Sequence, residues 1–229
     1  EKSIHFQNAS IDYRVIGNGK PVMLLHGFGE DSTVWASQIE ALQDNYQLII
    51  PDIPGSGKSA LVANADIDTY ADIIKAICDE EQISELNSLI GHSMGGYITL
   101  AVAEKYPALL NSFGLFHSSA FADAEEKKQT RKKAIEFIKE KGAHTFLKTS
   151  TPGLFTQEYK DYHPEKVEAL IEAGKAFSSD ALIQYYEAMI ARPDRTAVLK
   201  SFPKPILFII GEHDQAIPFE SSMQQCHLP

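Results

Sequence analysis

The chain has 229 residues, of which 44% are hydrophobic and 23% are charged. That length and composition suit one soluble globular domain, or a core with a small insertion. Lys and Arg number 21 against 31 Asp and Glu, so the formal net charge is −10. Binding to nucleic acid or to an anionic membrane surface needs clustered cations, so this balance disfavours both partners.

The two cysteines, Cys78 and Cys226, form no CxxC pair, so neither a zinc site nor a redox motif is indicated. Cys78 continues an apolar helical stripe, and we expect it to be a buried free thiol. The absence of a disulfide framework favours a reducing compartment, hence a cytoplasmic location. No stretch approaches the length of a membrane span, but a cleaved signal peptide stays open because residue 1 is not Met.

Strands and helices alternate along the first half of the chain. Residues 4–6 and 11–16 alternate in polarity and predict an antiparallel opening pair. Helices are predicted around 35–42, 70–78 and 95–105 from their apolar stripes. Five continuous apolar runs are typical of parallel strands covered on both faces: 22–25, 48–50, 86–90, 113–116 and 206–210. This order predicts an α/β protein with a mostly parallel, doubly wound sheet.

The alternation stops near residue 120. Residues 122–197 have only helical patterns, the first of them over 124–141, before strand character returns at Pro205. An all-helical block between two strands of one sheet is typical of a lid. We therefore predict a core over 1–120, a helical lid or cap over 121–203, and a second part of the core over 204–229.

The segment from Gly91 to Gly95 fits the pattern G-x-S-x-G, with Ser93 at its centre. A predicted strand precedes it and a predicted helix follows, which is the context this motif requires. The turn is so tight that the serine must adopt a strained backbone, and the two glycines leave room where a side chain would clash. Ser93 at a helix N-terminus is therefore predicted to be a catalytic nucleophile.

These features resemble the α/β-hydrolase superfamily, and the likeness extends over nearly the whole chain. The segment His26–Gly29 is similar to the family's oxyanion loop. The resemblance implies that the backbone N–H groups of Phe28 and Met94 stabilise the oxyanion, and that His26 braces the loop without moving protons. Two donors oriented in advance lower the barrier where negative charge develops.

Two further segments carry the resemblance. Residues 52–59 are similar to the family's D-x-P-G-x-G-x-S loop and are expected to be structural. A phosphate-binding loop would need glycine five residues before Gly57, where this chain has Asp52. Residues 211–214 are similar to the family's G-x-x-D, which implies that Asp214 is the acid of a Ser-His-Asp triad.

The chain departs from the family pattern in its histidines. The family places the triad histidine one helix and one strand after the acid, but only His227 follows Asp214 here, in a stretch too short for that strand. We therefore expect a chain that is incomplete at its C-terminus, with the catalytic histidine beyond residue 229. Without a further strand, residues 206–210 would form an exposed apolar edge.

Serine as the nucleophile indicates acyl transfer, so a carboxylesterase-like hydrolase of small to medium acyl compounds is predicted. Trp35, His117 and Tyr185 are the expected substrate-binding residues, and neither a metal nor a cofactor is indicated. Two other functions stay open: a non-catalytic ligand-binding protein on the same fold, and a cofactor-free perhydrolase or haloperoxidase. The natural substrate and the oligomeric state cannot be determined from the sequence.

Overall fold

A seven-stranded sheet runs through the centre of the computed structural model, which describes residues 1–229. The strands are β1 (Lys2–Phe6), β2 (Ala9–Ile16), β3 (Lys20–Leu25), β4 (Tyr46–Pro51), β5 (Ser88–His92), β6 (Phe113–Phe116) and β7 (Ile206–Ile209). Their order across the sheet is β1-β2-β4-β3-β5-β6-β7. The first two strands are antiparallel to their neighbours, and all later pairs are parallel. The predicted α/β architecture with a mostly parallel sheet is confirmed.

Ten α-helices connect or flank these strands. They are α1 (Ala36–Leu42), α2 (Ile67–Glu80), α3 (Met94–Lys105), α4 (Glu125–Lys141), α5 (Ala143–Ser150), α6 (Gln157–Tyr162), α7 (Pro164–Ala173), α8 (Ser179–Ala191), α9 (Thr196–Ser201) and α10 (Phe219–Cys226). No helix combines the length and the apolar character that crossing a membrane requires.

The two faces of the sheet are covered unequally. Helices α2 and α3 pack on one face and help to build a core of 41 buried residues. The opposite face carries a cluster of only five buried residues: Val22, Leu24, Trp35, Leu48 and Ile50. Register places Leu207 and Ile209 of β7 on this second face, where they are 48% and 37% exposed. The expected apolar edge is therefore present at β7, the last strand of the sheet.

Most predicted elements have the predicted positions, with differences at their ends. The strand expected over 86–90 begins at Ser88 and continues to His92, because Leu86 forms only an isolated bridge with Leu110. The stripe expected over 35–42 is divided, since Trp35 ends a 3-10 helix and α1 starts at the next residue. Cys78 and Cys226 are both free thiols, and Cys78 is buried.

Six helices, α4 to α9, separate β6 from β7, so the helical block expected there is observed. Buried charges join parts of this block to one another and to the core. The Asp123 carboxylate accepts hydrogen bonds from Arg131 Nε at 2.6 Å and from Arg192 Nη2 at 3.0 Å. Arg195 extends to Asp68 of α2 and Glu104 of α3. The division into a core and a lid at residues 121–203 stays a prediction.

Candidate active site

Ser93 occupies the turn between β5 and α3 with φ 49° and ψ −114°. A non-glycine residue in this region stores strain, which persists only where the surroundings enforce it. They do so here: the Ser93 N–H donates to the Phe116 carbonyl at 2.9 Å, and its carbonyl accepts from the Gly96 N–H at 2.9 Å. The Ser118 hydroxyl donates to the same carbonyl at 2.7 Å. The turn is therefore fixed from both sides.

Close backbone approach explains the two glycines of the motif. A Cβ on Gly91 would lie 2.1 Å from the Gly95 carbonyl oxygen. A Cβ on Gly95 would lie 2.5 Å from the carbonyl oxygen of Leu25 and 2.7 Å from that of His26. Backbone cannot move aside as a side-chain end can, so β3, β5 and α3 meet this closely only with glycine at both positions.

The expected oxyanion donors lie next to this turn. Met94 is the first residue of α3, where an N–H has no carbonyl one turn earlier in the helix to bond. The Phe28 N–H makes no hydrogen bond within the chain. A Cβ on the preceding Gly27 would lie 3.2 Å from Ser93 Cβ, so this loop passes close beside Ser93. Both N–H groups are thus available for an incoming oxygen.

His26 is fully buried and braces this loop. Its Nε2 accepts from the Ile53 N–H at 2.9 Å, so Nδ1 carries the proton and donates to the Gly27 carbonyl at 2.9 Å. Burial lowers the pKa of His26, which keeps the ring neutral. With both nitrogens occupied, His26 joins the oxyanion loop to the loop that follows β4.

That second loop is organised around Asp52. Its carboxylate accepts from the Ser32 N–H at 2.9 Å and from the Lys58 N–H at 3.0 Å. Gly57 has φ +50°, and a Cβ there would lie 2.1 Å from Asp52 Oδ2. The polar groups of this loop are thus used in hydrogen bonds within the protein, which agrees with the structural role expected for residues 52–59.

Asp214 follows β7 and hydrogen-bonds a histidine. Its Oδ2 lies 3.1 Å from His117 Nδ1, and its Oδ1 accepts from the N–H groups of Ala216 and Ile217 at 2.8 and 2.9 Å. Burial raises the pKa of a carboxyl group, but these bonds outweigh it and the pKa of Asp214 is lowered. Asp214 is therefore an ionised carboxylate at neutral pH, placed to hold an imidazole.

Ser93, His117 and Asp214 follow three neighbouring strands. His92 pairs in register with Phe116, so Ser93 and His117 are the next residues along β5 and β6. His117 also has a positive φ of 49°, which turns its ring beside Phe116, at a centroid distance of 4.9 Å. The sequence predicted a substrate contact for His117, and the structure brings it to Asp214.

The other two expected substrate-binding residues are buried. Trp35 is 3% exposed and packs against Phe116 at a centroid distance of 6.0 Å, in the small cluster of the second face. Tyr185 is fully buried and donates to the Pro54 carbonyl at 2.8 Å. Its ring lies 6.2 Å from that of Phe28. The structure therefore brings Tyr185, but not Trp35, against the oxyanion loop.

Sequence reasoning missed the aromatic contacts on Phe28. The Tyr186 ring stacks on the Phe28 ring with centroids 4.3 Å apart, and the Phe146 ring meets it edge-on at 6.3 Å. Both residues come from the helical block, which thereby packs on the oxyanion loop. The aromatic residues of the helical block indicated an apolar surface, but the sequence could not show that they pack against Phe28.

Sequence reasoning also missed a half-buried Glu–His pair beside Ser93. Glu30 Oε2 accepts from the Gly27 N–H at 2.8 Å and lies 2.9 Å from His92 Nδ1. No motif marks Glu30, and 62 residues separate it from His92.

No group of three or more His, Cys, Asp or Glu side chains is arranged to hold a metal ion.

Comparison with known proteins agrees with this architecture. Residues 20–227 match the family model described as alpha/beta hydrolase fold. The chain is 28% identical over 231 residues to Lipase 1 of Psychrobacter immobilis, which covers 96% of this chain and 68% of the lipase.

Solved structures are similar over almost the whole chain. A thermophilic esterase from Thermogutta terrifontis superposes with a TM-score of 0.91 and 27% identity, covering 98% of this chain and 85% of the esterase. An enol-lactonase from Burkholderia xenovorans LB400 superposes with a TM-score of 0.89 and 22% identity, over 98% and 86% of the two chains. The second likeness bears on the fold alone.

Proposed function

Because this chain belongs to the α/β-hydrolase fold family and is an α/β-fold hydrolase, we propose that it is a serine hydrolase of esters or related acyl compounds. Small to medium acyl substrates fit it best. The strained turn at Ser93 carries the proposal, because strain enforced by glycine contacts on both sides is typical of a nucleophile that must project above the sheet.

The chemistry proceeds in two halves. Ser93 Oγ attacks the acyl carbon as its proton passes to a base, and the carbonyl electron pair moves onto oxygen. The N–H groups of Phe28 and Met94 receive that oxyanion. Collapse expels the alcohol, which takes the proton, and leaves an ester on Ser93. Water then attacks this acyl-enzyme by the same steps and releases the acid.

Asp214 is the proposed acid that orients the base. In the described chain its partner is His117, at 3.1 Å. We propose that the base itself is a histidine beyond residue 229, which replaces His117 on Asp214. The open edge and apolar face of β7 support this proposal, since one more strand would pair with the edge and a helix packed on that face would cover Leu207 and Ile209.

A pair of measurements tests the origin of the base. A chain of residues 1–229 should hydrolyse p-nitrophenyl acetate far more slowly than a natural chain that extends further. Equal rates from both would contradict a base beyond residue 229. Loss of that activity in His117→Asn would then identify His117 as the base.

The substrate class is supported by the aromatic packing over the oxyanion loop. Phe28 is enclosed by Tyr186, Phe146 and Tyr185, which leaves an apolar boundary on the acyl side of the proposed site. All three of these contacts come from the proposed lid, so substitutions there should change the preferred acyl length. Rates on p-nitrophenyl acetate, butyrate and octanoate for Tyr186→Ala and wild type test this expectation.

Labelling distinguishes the serine hydrolase from the alternatives. A fluorophosphonate should form one adduct, located at Ser93 by mass spectrometry and absent from Ser93→Ala. A non-catalytic binding protein would not be labelled under conditions that label a control hydrolase. A perhydrolase would be labelled but would also form peracid from acetate and hydrogen peroxide, which a halogenation assay detects.

A further inference from the structure

A carboxylate connects the oxyanion loop to the nucleophile turn. Glu30 Oε2 receives the Gly27 N–H and the His92 Nδ1–H, and these donors belong to residues adjacent to Phe28 and Ser93. We propose, on the basis of the serine hydrolase function above, that Glu30 and His92 are positioning residues that set the alignment and the electrostatics of the oxyanion site.

The geometry is crowded enough for positioning. A Cβ on Gly27 would lie 3.0 Å from Glu30 Oε2, 3.1 Å from His92 Nδ1 and 3.2 Å from Ser93 Cβ. Three groups thus converge on one glycine, immediately before the Phe28 N–H. A shift of the carboxylate moves the loop relative to Ser93, and the spacing between the two oxyanion donors changes with it.

His92 differs from His26 in having a nitrogen free to titrate. Nδ1 of His92 must carry its hydrogen, since the carboxylate only accepts, whereas Nε2 makes no hydrogen bond within the chain. The side chain of His92 is 28% exposed and that of Glu30 is 12% exposed. Protonation at Nε2 therefore switches the pair between a neutral sum and a net negative charge.

Each partner favours the charged form of the other. Burial lowers the pKa of His92, but attraction and hydrogen bonding to Glu30 outweigh burial, and the pKa of His92 is raised. Burial raises the pKa of Glu30, but His92 and the Gly27 N–H outweigh it, and the pKa of Glu30 is lowered. The imidazolium and the carboxylate then cancel beside the oxyanion.

Three other titratable groups face this pair, and two carboxylates act on one of the three. His26 lies in the oxyanion loop and is neutral, and Asp52 and Asp31 lie beyond it and act on His26. His117 approaches from the end of β6, with its ring centroid 6.1 Å from that of His92. Asp214 acts from the loop after β7 and favours the charged form of His92.

The consequence is an alkaline limb in the turnover rate. Above its pKa, His92 loses the Nε2 proton and leaves the Glu30 charge uncompensated next to the developing oxyanion. Negative charge there opposes the transition state more than the ground state, so kcat falls while KM changes little. The same limb should disappear when His92 cannot titrate.

Three variants separate charge from shape. His92→Asn retains an N–H donor near the Nδ1 position but removes the titration, so kcat should be lowered and should lack the alkaline limb. Glu30→Gln removes the negative charge and one acceptor, and we expect about a 10- to 100-fold loss in kcat through misalignment. The double variant pairs two neutral amides and should be faster than His92→Asn alone.

The experiment measures kcat and KM from pH 5 to pH 10 on an activated ester, with Tm recorded for each variant. Glu165→Gln is the matched control, because it alters an exposed Glu–His pair, with His163 at 3.7 Å, in the helical block. Its profile should equal wild type. The proposal would be overturned if the alkaline limb survives in His92→Asn. It would also be overturned if the variants lose Tm and kcat together while the limbs of their pH profiles stay unchanged.

An NMR titration keeps this test independent of catalysis. The chemical shifts of the Phe28 and Met94 backbone amides should change with pH at the same midpoint as the His92 ring. This change should be absent in His92→Asn. If the chemical shifts of these amides do not respond to titration of the His92 ring, the positioning role is rejected even when ester hydrolysis is confirmed. A coupled titration in a chain that Ser93-directed fluorophosphonate fails to label would reject the serine hydrolase instead.

Discussion

Ser93 and Asp214 both follow parallel strands of one sheet, yet their surroundings differ. Around Ser93, β3, β5 and α3 approach so closely that Gly91 and Gly95 have backbone oxygens within 2.1 and 2.5 Å of where a Cβ would stand. Asp214 lies beyond the edge strand β7, and the nearest atom to a Cβ on Gly211 is His117 Cε1, at 2.8 Å. Backbone atoms make the close contacts around the proposed nucleophile, whereas the closest contact beside the proposed acid comes from a side chain that can rearrange.

The largest expected difference between the Ser93 region and the Asp214 region is in their effect on activity. Ser93→Ala removes the nucleophile, and we expect at least about a 1,000-fold loss in kcat/KM on a p-nitrophenyl ester. Asp214→Asn retains the nucleophile and the oxyanion donors and should lose less. Rates measured in the longest natural form of the chain check this order, and an Asp214→Asn variant slower than Ser93→Ala would contradict it.

Glycine substitutions test the same contrast through stability. Gly95→Ala places a methyl group against the carbonyls of Leu25 and His26, which cannot move without separating β3 from α3. We expect a loss of about 2–4 kcal/mol in the free energy of unfolding. Urea unfolding followed by circular dichroism measures it.

Gly211→Ala is the matched substitution at the other end. The His117 ring can rotate away from the new methyl group, so we expect a loss below about 1 kcal/mol. A loss at Gly211 equal to that at Gly95 would show that the two ends are equally rigid.

The pH dependence of stability sharpens the account of the acid end. Because the pKa of Asp214 is lowered in the folded chain, its ionised form stabilises the fold above its unfolded value of about 3.9. That contribution is lost as the pH falls through the folded pKa. The difference in stability between Asp214→Asn and wild type should therefore become smaller as the pH drops from 6 to 3.

A control identifies which carboxylate produces that change. Glu165→Gln alters an exposed carboxylate on α7 and should leave the acid limb of wild type unchanged. Thermal melts at closely spaced pH values provide the measurement. A gap between Asp214→Asn and wild type that stays constant with pH would mean that Asp214 gains no stabilisation from ionisation.

The fold was largely predictable because its signals are local. Apolar runs marked the parallel strands, and the G-x-S-x-G pattern located the Ser93 turn from residues that are adjacent in sequence. The contacts that complete the site are not local. Glu30 and His92 are 62 residues apart, and His117 and Asp214 are 97 apart. Which carboxylate reaches which imidazole depends on strand order and register, and neither is encoded in a short motif.

Backbone conformation limited the prediction as well. His117 directly follows β6 with a positive φ, a conformation that is uncommon for any residue other than glycine, and no neighbouring residue in the sequence indicates it. The turn directs the ring toward Asp214. The sequence predicted His117 as a substrate-binding residue but could not give the direction of its side chain.

The smallest expected effect concerns Tyr185, which lies under the oxyanion loop. Its hydroxyl donates to the Pro54 carbonyl at 2.8 Å, and its buried ring packs against Phe28 and Tyr70. Tyr185→Phe retains the ring and removes one buried hydrogen bond, so unfolding should become easier by about 1 kcal/mol. Because the ring still supports Phe28, kcat/KM should stay within about twofold of wild type. A larger fall in kcat/KM, at a temperature where both chains are folded, would mean that the hydroxyl itself takes part in positioning the loop or in binding the substrate.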